Sequence, residues 1–209
     1  MEKNEQTYVG NQKLRHPLQI FHPIFFMLYI SFAGCASLQG SIFMEDPLTA
    51  EEHNNLGVIY EGEGKDDLAI REYKRAVNSD GTLSTPLVNL GNVYFKKGEY
   101  TKAEKYYQKA LKKDETNLQA ANNLASLYIE TGGDYQQGLD QMLLATGGLD
   151  IIPPYALDTM GVLHLKLGDK VGAEKFFIEA CSKLNDNDSL REEIRSHLWQ
   201  LGINKRCEE

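Results

Sequence analysis

Six registers recur together along this chain, and they constrain its fold more than any other feature. Leu56, Leu90, Leu124 and Met160 share one of them. Gly57, Gly91, Ala125 and Gly161 follow directly, and then come Tyr60, Tyr94, Tyr128 and His164. The later half of each unit repeats as well: Ala69, Ala103, Gly138 and Ala173, then Tyr73, Tyr107, Met142 and Phe177, then Ala76, Ala110, Ala145 and Ala180. The spacing is 34 residues at first and 35 to 36 later. Such self-similarity describes stacked units, none of which buries its apolar face alone.

Helical spacing explains the registers. Leu56 and Tyr60 are four apart and share a helix face. Gly57 leaves space where a second helix must approach, and Ala69 presents only a methyl from that helix. Ala76, seven beyond Ala69, lies on the same face and meets the next unit. Gly64, Gly98, Gly133 and Gly168 are placed to end each first helix in a left-handed conformation.

A period near 34 with this pattern resembles the tetratricopeptide repeat family over roughly residues 47–184. The resemblance implies an all-α solenoid of four helix-turn-helix repeats, at about 50–83, 84–117, 118–153 and 154–187. Helix pairs are expected at 50–62 and 66–78, 84–97 and 100–112, 118–131 and 135–147, and 154–167 and 170–183. Thr49, with Glu52 three residues on, predicts a capping box before the first helix. Repeat three departs from the pattern at Gly132-Gly133, with an extra residue, and at Gly138, where a helix-interior glycine costs roughly 1 kcal/mol against alanine. The stretch Thr146–Pro154 lengthens the next connection, which should be the least rigid joint. Residues 188–209 read as a C-terminal capping helix, Leu190 to Leu201, followed by a charged tail.

The beginning of the chain does not follow the repeat. Met1–His16 is polar with Lys13 and Arg15, Ile24–Phe32 is apolar apart from Ser31, and Ala33-Gly34-Cys35 follows. This is the order of a secretory signal. The apolar run falls short of the roughly 20 residues of a spanning helix. Phe32–Cys35 resembles a bacterial lipobox, which implies a signal at 1–34, lipid on Cys35 and a tether at 35–46. Ala36, rather than Asp, implies outer-membrane sorting by the same resemblance. An uncleaved signal anchor, giving a signal-anchored or cytosolic-facing adaptor, and a buried apolar segment are the alternatives.

No catalytic constellation is legible. The five histidines are scattered, no metal-ligand spacing or phosphate loop occurs, and the acidic residues are spread, with no isolated pair in an apolar setting. We therefore expect no enzyme activity, cofactor, metal or small-molecule substrate. A net charge of −8 argues against nucleic acid. In an exported protein Cys181 and Cys207 could pair; a buried thiol and a loose one is the simpler expectation. Lys96, Lys97, Lys102, Lys105, Lys109, Lys112 and Lys113 crowd the second repeat, opposed by Glu99 and Glu104. A solvated convex face is the plain reading, and anionic headgroups or an acidic partner the functional one.

Tetratricopeptide proteins, as a family, hold peptides or proteins against the first helices of their repeats. Residues opposite the Leu, Gly and Tyr registers should form that groove: Asn54 and Val58, Val88, Asn92 and Phe95, Asn122, Ser126 and Ile129, and Tyr155, Asp158 and Val162, bordered by Asn89 and Asn123. Asn92 and Asn123 match two asparagines of the family's carboxylate clamp. The clamp's cations are missing, with Gln119 where one would stand, so a neutral or mildly basic segment is expected instead. The resemblance implies a protein or peptide partner in the bacterial cell envelope, with the protein lipid-anchored on the periplasmic face. Lipoproteins of this kind resemble assembly factors for pili, secretion pores or peptidoglycan enzymes. The stretch Asp46–Glu61 also resembles the tail behind some papain-like peptidase domains, implying an accessory or truncated relative of such a system.

Overall fold

The computed structural model describes residues 46–185 and 187–203. The stretch from Asp46 onward is one compact unit. Its described residues form nine helices and no strand: α1 (Ala50–Gly62), α2 (Asp66–Ser79), α3 (Thr85–Lys96), α4 (Tyr100–Lys113), α5 (Leu118–Thr131), α6 (Tyr135–Thr146), α7 (Pro154–Lys166), α8 (Lys170–Ser182) and α9 (Ser189–Gln200). The signal segment, the lipobox with Cys35, and Cys207 lie outside the described residues.

The helices form hairpins α1/α2, α3/α4, α5/α6 and α7/α8, stacked in chain order. First helices also touch one another, α1 on α3, α3 on α5, α5 on α7 and α7 on α9, whereas second helices stay farther apart. The first helices therefore line the inner, concave side, and the second helices fan out on the convex side. Thr49 caps α1 as its sequence predicts. Its Oγ1 accepts from the Glu52 amide at 3.2 Å, and the Glu52 carboxylate accepts from the Thr49 amide at 2.8 Å. The Thr49 amide and hydroxyl, both donating to it, hold the exposed Glu52 carboxyl below the usual range.

The glycine register locks against an aromatic ring. A Cβ at Gly57, Gly91 or Gly161 would fall 2.4, 2.3 or 2.4 Å from Tyr73, Tyr107 or Phe177 respectively. The ring, more than the alanine methyl, is what the glycine accommodates. Repeat three exchanges these roles. Ala125 takes the glycine position, Met142 the ring position, and Gly138 the alanine position of the second helix. A Cβ on Gly138 would lie 3.4 Å from the Ala125 Cα, so the missing methyl has moved across the contact. Gly138 is part of this compensation, and its helix-propensity cost secures close packing.

Gly64, Gly98, Gly132, Gly168 and Gly202 hold φ of 72°, 72°, 72°, 83° and 79°. The amide after each closes on a carbonyl five residues back: Lys65 on Tyr60, Glu99 on Tyr94, Gly133 on Tyr128, Asp169 on His164 and Ile203 on Leu198, at 2.8–3.0 Å. This is a Schellman closure at every hairpin. In repeat three the left-handed residue is Gly132, not Gly133 as expected, because the extra residue falls after the turn. Gly133 is required for another reason: a Cβ there would meet the Tyr128 ring at 2.4 Å.

The same positions place α9 in the repeat. Ile194 continues the Leu register, Leu198 the Tyr register and Gly202 the turn. The capping helix is thus the first helix of a fifth unit. Arg195 stands in the register that holds Gly57, Gly91, Ala125 and Gly161, and its guanidinium donates to Glu192 of the same helix.

Two further points differ from expectation. Cys181 is buried and disulfide-bonded, where a buried free thiol was the simpler expectation. His53 is buried and bridges two carboxylates, Glu72 at 2.9 Å and Asp46 at 3.2 Å. Burial pushes the Glu72 carboxyl up, but hydrogen bonds from Arg71 and His53 with the Arg75 charge outweigh it and hold it low. The scattered histidines gave no sign of this ion cluster, because Glu72 belongs to another helix.

Candidate functional site

The concave side carries a row of asparagines joined across repeats. Asn89 Nδ2 donates to Asn54 Oδ1 at 2.9 Å, and Asn123 Nδ2 donates to Asn92 Oδ1 at 2.7 Å. Tyr107 Oη donates to the same Asn92 oxygen at 3.0 Å. Burial raises the Tyr107 phenol well above its ordinary pKa, which keeps it a neutral donor. Both lone pairs of Asn92 Oδ1 are thereby used. Its Nδ2 protons face no acceptor among the described residues and remain to be offered.

Asn92, Phe95, Tyr107, Gln119, Asn123 and Ser126 line a cavity of about 330 Å³. Four of these are expected groove residues. Tyr107 was assigned only to the interlock, and the clue was its hydroxyl: Phe177, in the same register, has none. Asn54, Asn89, Asn122, Ile129 and Val162 are half-buried, while Val58 and Tyr155 are exposed. Asn122 keeps its Oδ1 buried with no hydrogen-bond partner among the described residues.

Two expected groove positions do not face solvent. Val88 is 0% exposed within the core, because the register it shares with Asn54 abuts the neighbouring first helix. Asp158, in that register in repeat four, is 7% exposed and accepts from His197 Nδ1 of α9 at 2.9 Å. His197 stacks on Phe177 of α8, with ring centroids 5.0 Å apart. The half-repeat thus covers the groove position of the last full repeat.

The hydrogen bond to Asp158 raises the His197 pKa against the opposing effect of burial, and Glu193 on α9 adds to the rise. A raised folded-state pKa stabilises most below the unfolded value of about 6.5 and loses that stabilisation as pH climbs through the folded value. We expect His197→Gln to lower the melting midpoint more at acidic pH than in alkaline buffer. Melts of both proteins across that range check it, and a constant gap would discount the ion pair.

Among the described residues no helix is long and apolar enough to cross a membrane, and no cluster is arranged to hold a metal ion. Family models described as tetratricopeptide repeat match residues 53–82 and 86–117. Comparison with curated proteins finds no match. Among solved structures, pilF of Pseudomonas aeruginosa is similar at a TM-score of 0.62 and 22% identity, over 72% of this chain and 68% of that one. A tetratricopeptide repeat protein from Parabacteroides merdae aligns at 0.63 and 22%, over 87% and 71%. MamA aligns at 0.57 and 20%, over 81% and 94%. At these identities the likeness is one of fold.

Proposed function

Because the chain is a tetratricopeptide repeat protein, we propose that it is a non-enzymatic scaffold that grips a protein segment in its concave groove at a bacterial envelope membrane. The observation that carries the binding reading is the asparagine row beside the Asn92–Phe95 cavity. Asn92 offers amide protons and Asn123 an acceptor oxygen, the complement of a peptide backbone. Phe95 and Ile129 supply apolar anchors, the kind of side chain that dominates binding energy. The cavity lining has no charged residue, so a segment with a neutral or mildly basic face fits, and the net charge of −8 favours it at longer range.

The location rests on the lipobox-like Phe32–Cys35, with lipid on Cys35 and the protein on the periplasmic side of the outer membrane. The disulfide at Cys181 supports export, since such bonds persist in oxidising compartments.

The test begins with a pull-down from envelope extract to identify the partner. Asn92→Ala with Phe95→Ala should then weaken its binding by about 2 kcal/mol or more, in a protein of unchanged helicity. Undiminished affinity in the folded double variant would place the interaction outside the groove.

A further inference from the structure

The lysines of the second repeat gather on one face of α4. At about 100° per residue, Lys102, Lys105, Tyr106, Lys109, Lys112 and Lys113 fall within an arc of about 120° that holds no acid of this helix. The remaining two lysines of the cluster are neutralised elsewhere, Lys96 by Asp66 at 3.0 Å and Lys97 by Asp67 at 2.9 Å. Lys102 pairs with Glu99. Lys105, Lys109, Lys112 and Lys113 are exposed and form no ion pair among the described residues. Glu104 lies outside the arc and is engaged by Gln108 and Tyr128.

Two rings support the lysines from below. Tyr94 and Tyr106 stack at 5.4 Å, with Lys102 at 5.1 Å from the first ring and Lys109 at 5.3 Å from the second. The neighbouring convex helix, α6, exposes Leu143 and Leu144, each 46% accessible. Leu144, Lys112 and Lys113 border one cavity of about 790 Å³ between α4 and α6. Asp114 and Glu115 also line it, Asp140 is exposed on α6, and Asp80 interacts with the Lys113 charge; these acids oppose the patch.

We propose that this convex face docks the solenoid on an anionic phospholipid surface. The cations of the face are all lysine. An ammonium is a point charge without the fixed fork of arginine, suited to a fluid array of phosphates rather than to carboxylates at set positions. Exposed leucines beside a basic stripe add the apolar insertion that membrane surfaces accept. An acidic protein would satisfy the charge but not explain the leucines. Docked this way, the protein turns its groove away from the lipid, open to a partner. This contact is separate from the Cys35 anchor and from the groove.

The test uses the full chain carrying Cys35→Ala, with vesicles of phosphatidylcholine alone or mixed with phosphatidylglycerol. Binding to the neutral vesicles measures every other affinity of the chain. Phosphatidylglycerol should add a salt-sensitive increment. Changing Lys105, Lys109, Lys112 and Lys113 to Gln should cut that increment about 100-fold, given a several-fold contribution per lysine. Four Lys→Arg changes at the same sites should keep it. Lys74, Lys166, Lys170 and Lys175→Gln, an equal charge change elsewhere, should also keep it. An increment unchanged in the first variant, or lost equally in the last, overturns the proposal. So does a wild type that binds polyglutamate but ignores phosphatidylglycerol, which would assign the face to an acidic protein.

Discussion

Gly91→Leu is expected to destabilise the solenoid by about 3 kcal/mol or more. A methyl there would already sit 2.3 Å from Tyr107 Cε1 and 2.5 Å from its Cδ1. Tyr107 is 2% exposed, and its hydroxyl is tied to Asn92, so the ring cannot swing into solvent. Close-packed interiors do not absorb added volume without moving backbone. Here the movement would pry α3 from α4 in the middle of the stack. In a folded unit starting at Asp46 the melting midpoint should fall about 6–12 °C. Gly62→Ala is the control: nothing lies within 4 Å of its Cβ position, and the change should be neutral or mildly stabilising. Repeat three suggests a rescue. Gly91→Ala, Ala103→Gly and Tyr107→Met together reproduce its Ala125, Gly138 and Met142 arrangement, and should recover part of what Gly91→Ala alone loses. A Gly91→Leu protein that melts with wild type would mean that α3 and α4 are not paired this way.

Cys35→Ala is expected to abolish stable, salt-resistant membrane attachment, leaving only the salt-sensitive contact of the lysine face. Each acyl methylene contributes about 0.8 kcal/mol, one chain is marginal and two hold stably, so loss of the modified cysteine is close to all-or-none. Labelled palmitate should enter the wild-type protein and not the variant, which should also keep its signal uncleaved. Label persisting in the variant would remove the lipoprotein reading. The groove reading would survive that result, since it depends on Asn92, Phe95 and their neighbours.

Local chemistry made much of this protein legible in its sequence. The Leu and Tyr positions, four apart, give the buried face of each first helix. A turn glycine ends the first helix of each hairpin, and Thr49 with Glu52 starts the stack. Helix limits followed to within a residue or so for this reason: each is set by groups a few positions away. Asn92, Phe95, Asn123 and Ser126 could be placed around one cavity by the same periodicity.

The tertiary structure decided what depends on residues distant in the chain. Counting from the buried registers puts Val88 and Asp158 on the open side of a helix, but it cannot see the neighbouring helix that covers them. For Asp158 the cover is His197, 39 residues away. His53 joined Glu72 and Asp46 in one cluster only when α2 brought Glu72 against it. The exchange of a methyl between Ala125 and Gly138 is invisible as two separate departures from a pattern and plain as one contact. α9 reads in sequence as an amphipathic cap; its stacking on α7 and α8 makes it the first helix of a fifth unit, with Arg195 in the register of Gly57, Gly91, Ala125 and Gly161. Backbone conformation and capping are fixed by near neighbours, and so the sequence determined them. Burial and electrostatic pairing are fixed by whichever surfaces the superhelix brings together, and only the folded stack supplies those.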